Sequence, residues 1–165
     1  MSVETLTKPD FEAEQLDKEL GQLHPIEIIT RSREIFGDGL IAATNLGPTS
    51  AILLQFVSDV DKNIPVVTIR LGDETGKTKT LGDLYMGALG LELNAYEDGK
   101  LPPTDLEERR AKKLKLFDEM LTDLQPKAVL FGNMSWQTEE RATMPVFERR
   151  NGYMFDRDWE TILVF

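Results

Sequence analysis

The chain has 165 residues, a formal net charge of −10 and no cysteine, which suits one domain and excludes disulfides, thiolate zinc sites, iron–sulfur clusters and thiol nucleophiles among these residues. Its acidity argues against non-specific nucleic-acid binding, which needs a basic face to displace counterions, and obliges any anionic ligand to find a local basic patch. No apolar run approaches the roughly 20 residues of a membrane span, and Met1-Ser2-Val3-Glu4-Thr5 lacks the basic start and apolar core of a secretory signal, so no membrane contact and a cytoplasmic location are expected.

Residues 1–9 are polar and read as a flexible N-terminus; residues 10–165 read as a single domain without repeat or linker. From Asp10 to Phe36 the apolar residues fall at helical spacings, interrupted at His24-Pro25, where Pro25 opens a second helix. Gly37-Asp38-Gly39 then punctuates a change to the apolar run Leu40 to Thr44, read as a strand. A small polar loop and a helix of about Ser50 to Val60 follow, and after the turn Asp61-Lys62-Asn63 comes the β-branched run Ile64 to Leu71. A strand–helix–strand unit of this kind implies a parallel pair.

The polar loop Gly72 to Lys79 precedes a second crossover helix, Thr80 to Leu89, and Leu91 to Tyr96 alternates as a strand with one wetter face. Thr104-Asp105-Leu106-Glu107 reads as a capping box for a helix with the stripe Leu106, Leu114, Phe117, Leu121 and Leu124, closed by Pro126. Ala128 to Gly132 is the next buried strand. Met144 to Phe147 and Tyr153 to Phe155 flank Asn151-Gly152, which predicts a hairpin, and the apolar end Ile162 to Phe165 is left open as strand, helix stub or dimer contact. The alternation predicts an α/β fold with a doubly wound, mostly parallel sheet of about five strands and an N-terminal helical lead. Ligands of such sheets bind at the carboxyl ends of the strands, where the loops after Thr44, Leu71 and Phe131 meet.

The corner from Leu40 to Phe56 is the candidate site. Its loop leads into a helix N-terminus, where unpaired N–H groups and the helix dipole hold an anion without a basic side chain. Gly47 lets the backbone approach and Thr49 and Ser50 supply hydroxyls, whereas Pro48 removes a donor; the bland alternative is an ordinary helix cap. Arg141 offers a bidentate fork for phosphate near Gln137 and Thr138, or is simply an exposed loop arginine. The run Arg109 to Lys115, the largest candidate basic patch for an anionic ligand, carries more charges than one ligand uses and reads rather as a solvated helix face. Asp73 and Glu74 read as solvated carboxylates rather than magnesium ligands, so no metal is assigned. His24 lacks a serine partner for a triad, and Trp136 is equally an adenine-stacking or a surface aromatic.

From Leu16 to Trp159 order and motif resemble the phosphoadenosine phosphosulfate (PAPS) and adenosine phosphosulfate (APS) reductase family, of the adenine nucleotide α-hydrolase-like fold. Thr44-Asn45-Leu46-Gly47-Pro48-Thr49-Ser50-Ala51 lies where that family has its phosphate loop. Ile64-Pro65-Val66 with Gly72 and Thr78 is similar to its second strand and nucleoside-touching loop. Gly132, Gln137, Thr138, Arg141-Ala142 and Pro145-Val146 follow the spacing of its Gly-x-Arg-Arg-x-Gln-Ser-x-x-Arg-Ala segment. The resemblance implies an adenine nucleotide site made by Thr44, Gly47, Thr49, Ser50, Gly72, Thr78, Gln137, Thr138 and Arg141, with no tightly bound cofactor.

The departures bear on activity. The family's Asp-Thr-Gly reads Arg70-Leu71-Gly72, its Glu-Thr pair reads Lys77-Thr78, and two arginines of the late motif are Met134 and Ser135. The family's reductase chemistry uses a C-terminal cysteine that attacks the sulfonucleotide sulfur; the chain has none and ends before that segment, so no thiosulfonate intermediate is expected. The leading expectation is a domain that binds an adenine (sulfo)nucleotide without thiol-dependent reduction. The alternative is a non-catalytic pseudoenzyme that contacts a protein partner or a second copy of itself. An ATP-pyrophosphatase half-site is the third reading, weakened because Asn45 to Ser50 is a poor match to Ser-Gly-Gly-x-Asp-Ser.

Overall fold

In the computed structural model, residues 13–44, 48–71, 76–97, 105–132, 146–149 and 162–164 are described. The chain opens with α1 (helical residues 13–20) and α2 (Pro25–Phe36), which a 3₁₀ turn (Gly37–Gly39) joins to β1 (Leu40–Ala43). There follow α3 (Pro48–Val60), β2 (Val66–Ile69), α4 (Gly76–Leu89), β3 (Leu93–Tyr96), α5 (Leu106–Leu124) and β4 (Ala128–Phe131). The last elements are β5 (Phe147–Arg149) and β6 (Ile162–Val164).

The six strands form one sheet in the order β3-β2-β1-β4-β6-β5, parallel except for the antiparallel edge strand β5. The architecture is the doubly wound, mostly parallel α/β sheet expected, with one strand more than the five or so anticipated. The addition is β6, which pairs Ala128 with Ile162 and Leu130 with Val164 and so settles the apolar end as a strand. The expected hairpin partner Tyr153 to Phe155 lies outside the described residues, and the pairing seen for β5 is with β6. Phe147–Arg149 bonds to β6, with Phe147 opposite Val164 and Arg149 opposite Ile162; residues 150–161, including Asn151-Gly152, lie outside the described residues.

The central strands β1 and β4 are short and apolar on both faces because both faces are covered, whereas β3 is only partly buried. On one side Leu40, Ala42, Val66, Leu130 and Val164 pack with Leu16 and Leu20 of α1, Ile28 and Ile29 of α2, Leu53, Leu54 and Val57 of α3 and Met86 of α4. On the other, Ile41, Val67 and Val129 pack against Phe117, Met120 and Leu121 of α5. Each fully buried aliphatic side chain of this kind contributes on the order of 1.5–3 kcal/mol. The α5 stripe differs from the one anticipated: Leu116, Phe117, Met120 and Leu121 are buried, while Leu106 is 76% exposed. A helix laid over a sheet buries two adjacent rows, which the spacing of leucines alone misassigned.

Side chains tie the elements together. Asp17 Oδ1 accepts the N–H groups of Val146 (2.7 Å) and Phe147 (3.2 Å), holding α1 to the strand at the far edge. Tyr85 on α4 donates to the Ala51 carbonyl of α3 at 2.9 Å, and Ser58 of α3 returns a bond to the Leu89 carbonyl at 3.0 Å. At the C-terminus of α2 the chain turns through Gly37 with φ 54°, a backbone conformation that favours glycine. Arg33 closes that end by donating to the Gly37 carbonyl at 2.7 Å and to Asp61 Oδ2 at 2.9 Å.

Asp61 also accepts the Asn63 N–H at 2.9 Å, and that bond first, then Arg33, holds its carboxyl below the ordinary value of 3.8. A carboxylate depressed in the fold stabilises it above the unfolded-state pKa and ceases to as pH falls through the folded-state value. Denaturant melts from pH 6 to pH 2 should therefore show a smaller acid loss of stability for Asp61→Asn than for the wild type. Ser32 Oγ, inside α2, is buried without a hydrogen-bond partner among the described residues. An unpaired buried hydroxyl costs about 1–3 kcal/mol, so Ser32→Ala should melt at or above the wild-type temperature.

Candidate functional site

The chain leaves β1 through α3 toward β2 on one side, whereas β4 lies on β1's other side, so the strand order reverses between β1 and β4. Their carboxyl ends are level, with Ala43 opposite Phe131. A crevice at such a reversal is where open α/β sheets bind ligands. Thr44 and Gly132 are the first residues beyond these two strands. Thr44 is 7% exposed and its N–H donates to the Val67 carbonyl at 2.9 Å, which holds the start of the loop onto the sheet.

The helix after β1 starts at Pro48, two residues earlier than its spacing suggested. Proline suits a first helical position, where its N–H would have no helical partner, so Pro48 costs the corner less than a loop proline would. Thr49 and Ser50 thus fall in the first turn of α3. Likewise α4 begins at Gly76, not Thr80, which moves Thr78 from the expected loop into a first turn. Neither first turn contains a carboxylate, although Asp73 and Glu74 precede α4 in the sequence. The contrast is α5, where Asp105, Glu107 and Glu108 crowd the start. There the cap is Asp105, one residue later than the predicted box; its Oδ1 accepts the Glu108 N–H at 2.7 Å.

Of the nine expected site residues, Thr44, Thr49, Ser50 and Thr78 lie on or beside elements that end or begin at this edge of the sheet. Gly47, Gly72, Gln137, Thr138 and Arg141 lie outside the described residues, as do Asp73, Glu74 and Trp136. His24 is the N-cap of α2, its Nδ1 accepting the Ile26 N–H at 3.2 Å and its ring edge-on to Phe56, which is a structural role.

Two cations at the same edge were not among the expected site residues. Arg70 directly follows β2, and its N–H donates to the Tyr96 carbonyl at 2.9 Å. Its guanidinium faces Asp83 of α4 at 3.6 Å. Lys112 of α5 reaches the Leu71 carbonyl at 3.4 Å, so the basic run is not uniformly a solvated face. The signal for Arg70 was present in the alternation Val66, Thr68, Arg70, which continues one face of β2 past its end. An apolar cavity of about 110 Å³ opens beside Gly132, walled by Ile28 and Ile29 of α2, Ile52 and Phe56 of α3 and Phe131.

The chain has the adenine nucleotide α-hydrolase-like fold. It is 29% identical to an adenosine 5'-phosphosulfate reductase of Mesorhizobium japonicum, covering 81% of this chain and 57% of that one. It is 29% identical to a phosphoadenosine 5'-phosphosulfate reductase of Synechocystis, covering 98% and 72%. Among solved structures, the phosphate complex of the Candida auris PAPS reductase superposes with a TM-score of 0.69 at 20% identity, over 92% of this chain and 76% of that chain. Candida glabrata FMN adenylyltransferase superposes at 0.60 and 12% identity, over 95% and 58%, a likeness of fold. No family model matches the sequence. Over most of its length the chain is thus similar to PAPS and APS reductases, and it contains no cysteine. It spans little more than half the length of the Mesorhizobium relative.

Tyr96, at the carboxyl end of β3, donates to Asp123 Oδ2 at 2.7 Å. Burial first, and the neighbouring carboxylate second, push its hydroxyl from 10.0 up to about 12. A raised value means the protonated phenol is favoured by the fold, so this contribution is intact below pH 10 and is lost as pH climbs toward 12. Absorbance titration at the tyrosinate band should show a transition near pH 12 that Tyr96→Phe removes. Asp123→Asn should lower it only partway, because burial remains.

Proposed function

We propose that this chain binds an adenine nucleotide carrying phosphate or sulfate at the carboxyl end of its sheet, and that its own residues perform no thiol-dependent reduction. The observation that carries the reading is the β1–α3 corner, seated at the strand reversal and leading into a helix whose first turn has no carboxylate. The reductase names of the relatives favour a sulfonucleotide or its bisphosphate product as the ligand. A phosphate group at this corner would meet backbone N–H groups and the hydroxyls of Thr49 and Ser50, with Arg141 as a further donor. Gly47 and Gly72 would admit the ligand close to the backbone, and Thr78, Gln137 and Thr138 would contribute polar contacts.

With no cysteine among its 165 residues, the chain has no thiolate to attack a sulfonucleotide sulfur, so the bound nucleotide is a ligand held rather than a substrate reduced by this chain alone. Among the described residues no helix is long and apolar enough to cross a membrane.

Calorimetric titration with adenosine 3',5'-bisphosphate, APS and ATP tests the reading. Saturable binding of at least one, abolished by Arg141→Ala and weakened about tenfold or more by Gly47→Val, is the expected result. Absence of binding at millimolar ligand would overturn it, and purification with a stoichiometric protein partner and no nucleotide would favour an interaction subunit instead.

A further inference from the structure

The nucleotide reading needs a basic group somewhere at the ligand edge, because the chain as a whole is strongly acidic. Among the described residues the carboxyl end of β2 supplies two. Arg70 has its backbone pinned to β3 through the Tyr96 carbonyl, which fixes where the side chain starts. The side chain is only 11% exposed, so its charge has largely left water. A buried charge is costly unless compensated, yet Asp83 stands at 3.6 Å and is itself 62% exposed. That distance is beyond a good charge-assisted hydrogen bond, and an exposed carboxylate neutralises weakly. Arg70 is thus held in place with directional donors that Asp83 does not satisfy.

Lys112 arrives at the adjoining residue from a different element and from the opposite face of the sheet. The α4 side of β2 carries Arg70; the α5 side brings the Lys112 ammonium to the Leu71 carbonyl. Two cations therefore bracket a single strand end. The next strand over, β1, ends in the corner assigned to phosphate.

We propose that Arg70, supported by Lys112, is the specificity-determining cation that receives a second anionic group of the nucleotide, separate from the phosphate at the β1–α3 corner. The inference deepens the nucleotide reading and rests on it. It selects for ligands with two separated anionic groups over a simple monophosphate. Arginine suits the task, since its planar fork matches phosphate or sulfate oxygens two at a time.

The test compares adenosine 3',5'-bisphosphate with AMP by calorimetry and follows melting in inorganic sulfate. Wild-type protein should bind the bisphosphate about tenfold or more tighter than AMP, the scale of one charge-assisted contact. Arg70→Gln should collapse that ratio toward one while changing AMP affinity little, and Arg70→Lys should keep part of it. Asp83→Asn is the discriminating control. If Arg70 merely braces α4 through Asp83, that variant behaves like Arg70→Gln; if Arg70 binds the ligand, it leaves the ratio intact or raises it.

An unchanged ratio in Arg70→Gln, or a wild type that does not prefer the bisphosphate, overturns the inference while leaving the nucleotide reading standing. If no nucleotide binds but sulfate raises the melting temperature of the wild type and not of Arg70→Gln, the anion site stands and the nucleotide reading falls. Failure of both nucleotide and sulfate to act overturns both.

Discussion

The parallel ladder between β1 and β4 is what the molecule is built around. Residues Leu40 to Ala43 pair one for one with Ala128 to Phe131, although some 85 residues of chain, by the numbering, lie between the two segments. Bringing them together closes a long loop at an entropic cost that only burial on both faces can offset. The sequence meets that demand with strands apolar at every position, so one face accepts α1 to α4 and the other accepts α5. Once β1 and β4 are neighbours, the reversal in strand order follows, and with it the place at which open α/β sheets bind ligands. The position of that reversal is thus a consequence of core packing.

Charge is distributed unevenly along the sheet. At the end where α2 stops, Arg33 is consumed by Gly37 and Asp61, a closed arrangement that joins α2 to the turn before β2. At the other end the carboxylates collect at the start of α5, while α3 and α4 begin without them and Arg70 and Lys112 stand beside β2. In a chain with net charge −10, these cations are the local basic groups that an anionic ligand at this edge would need. The likeness to PAPS and APS reductases leaves the chemistry open, since a fold hosts many activities and these residues include no cysteine.

Local signals were enough for most elements. The break at His24-Pro25, the Gly37 turn, the β-branched runs and the stop at Pro126 are decided within a few residues, by proline and glycine stereochemistry and by strand propensity. Element starts were less legible, because Pro48 and Gly76 are poor helix formers that the first turn nevertheless accommodates. The cap of α5 slid by one residue since Thr104 and Asp105 are both competent acceptors and only the backbone geometry chooses between them.

By itself the sequence determined the class of fold and the order of its elements, both of which rest on periodicity and on turn chemistry that act locally. Tertiary structure alone decided the rest: that Ile162–Val164 enters the sheet and pairs with Phe147–Arg149, that Leu116 and Met120 and not Leu106 face the core, and that Lys112 reaches β2. These are contacts between segments 13 to more than 40 residues apart by the numbering. No local rule reports them, because their free energy exists only once distant surfaces have been brought together.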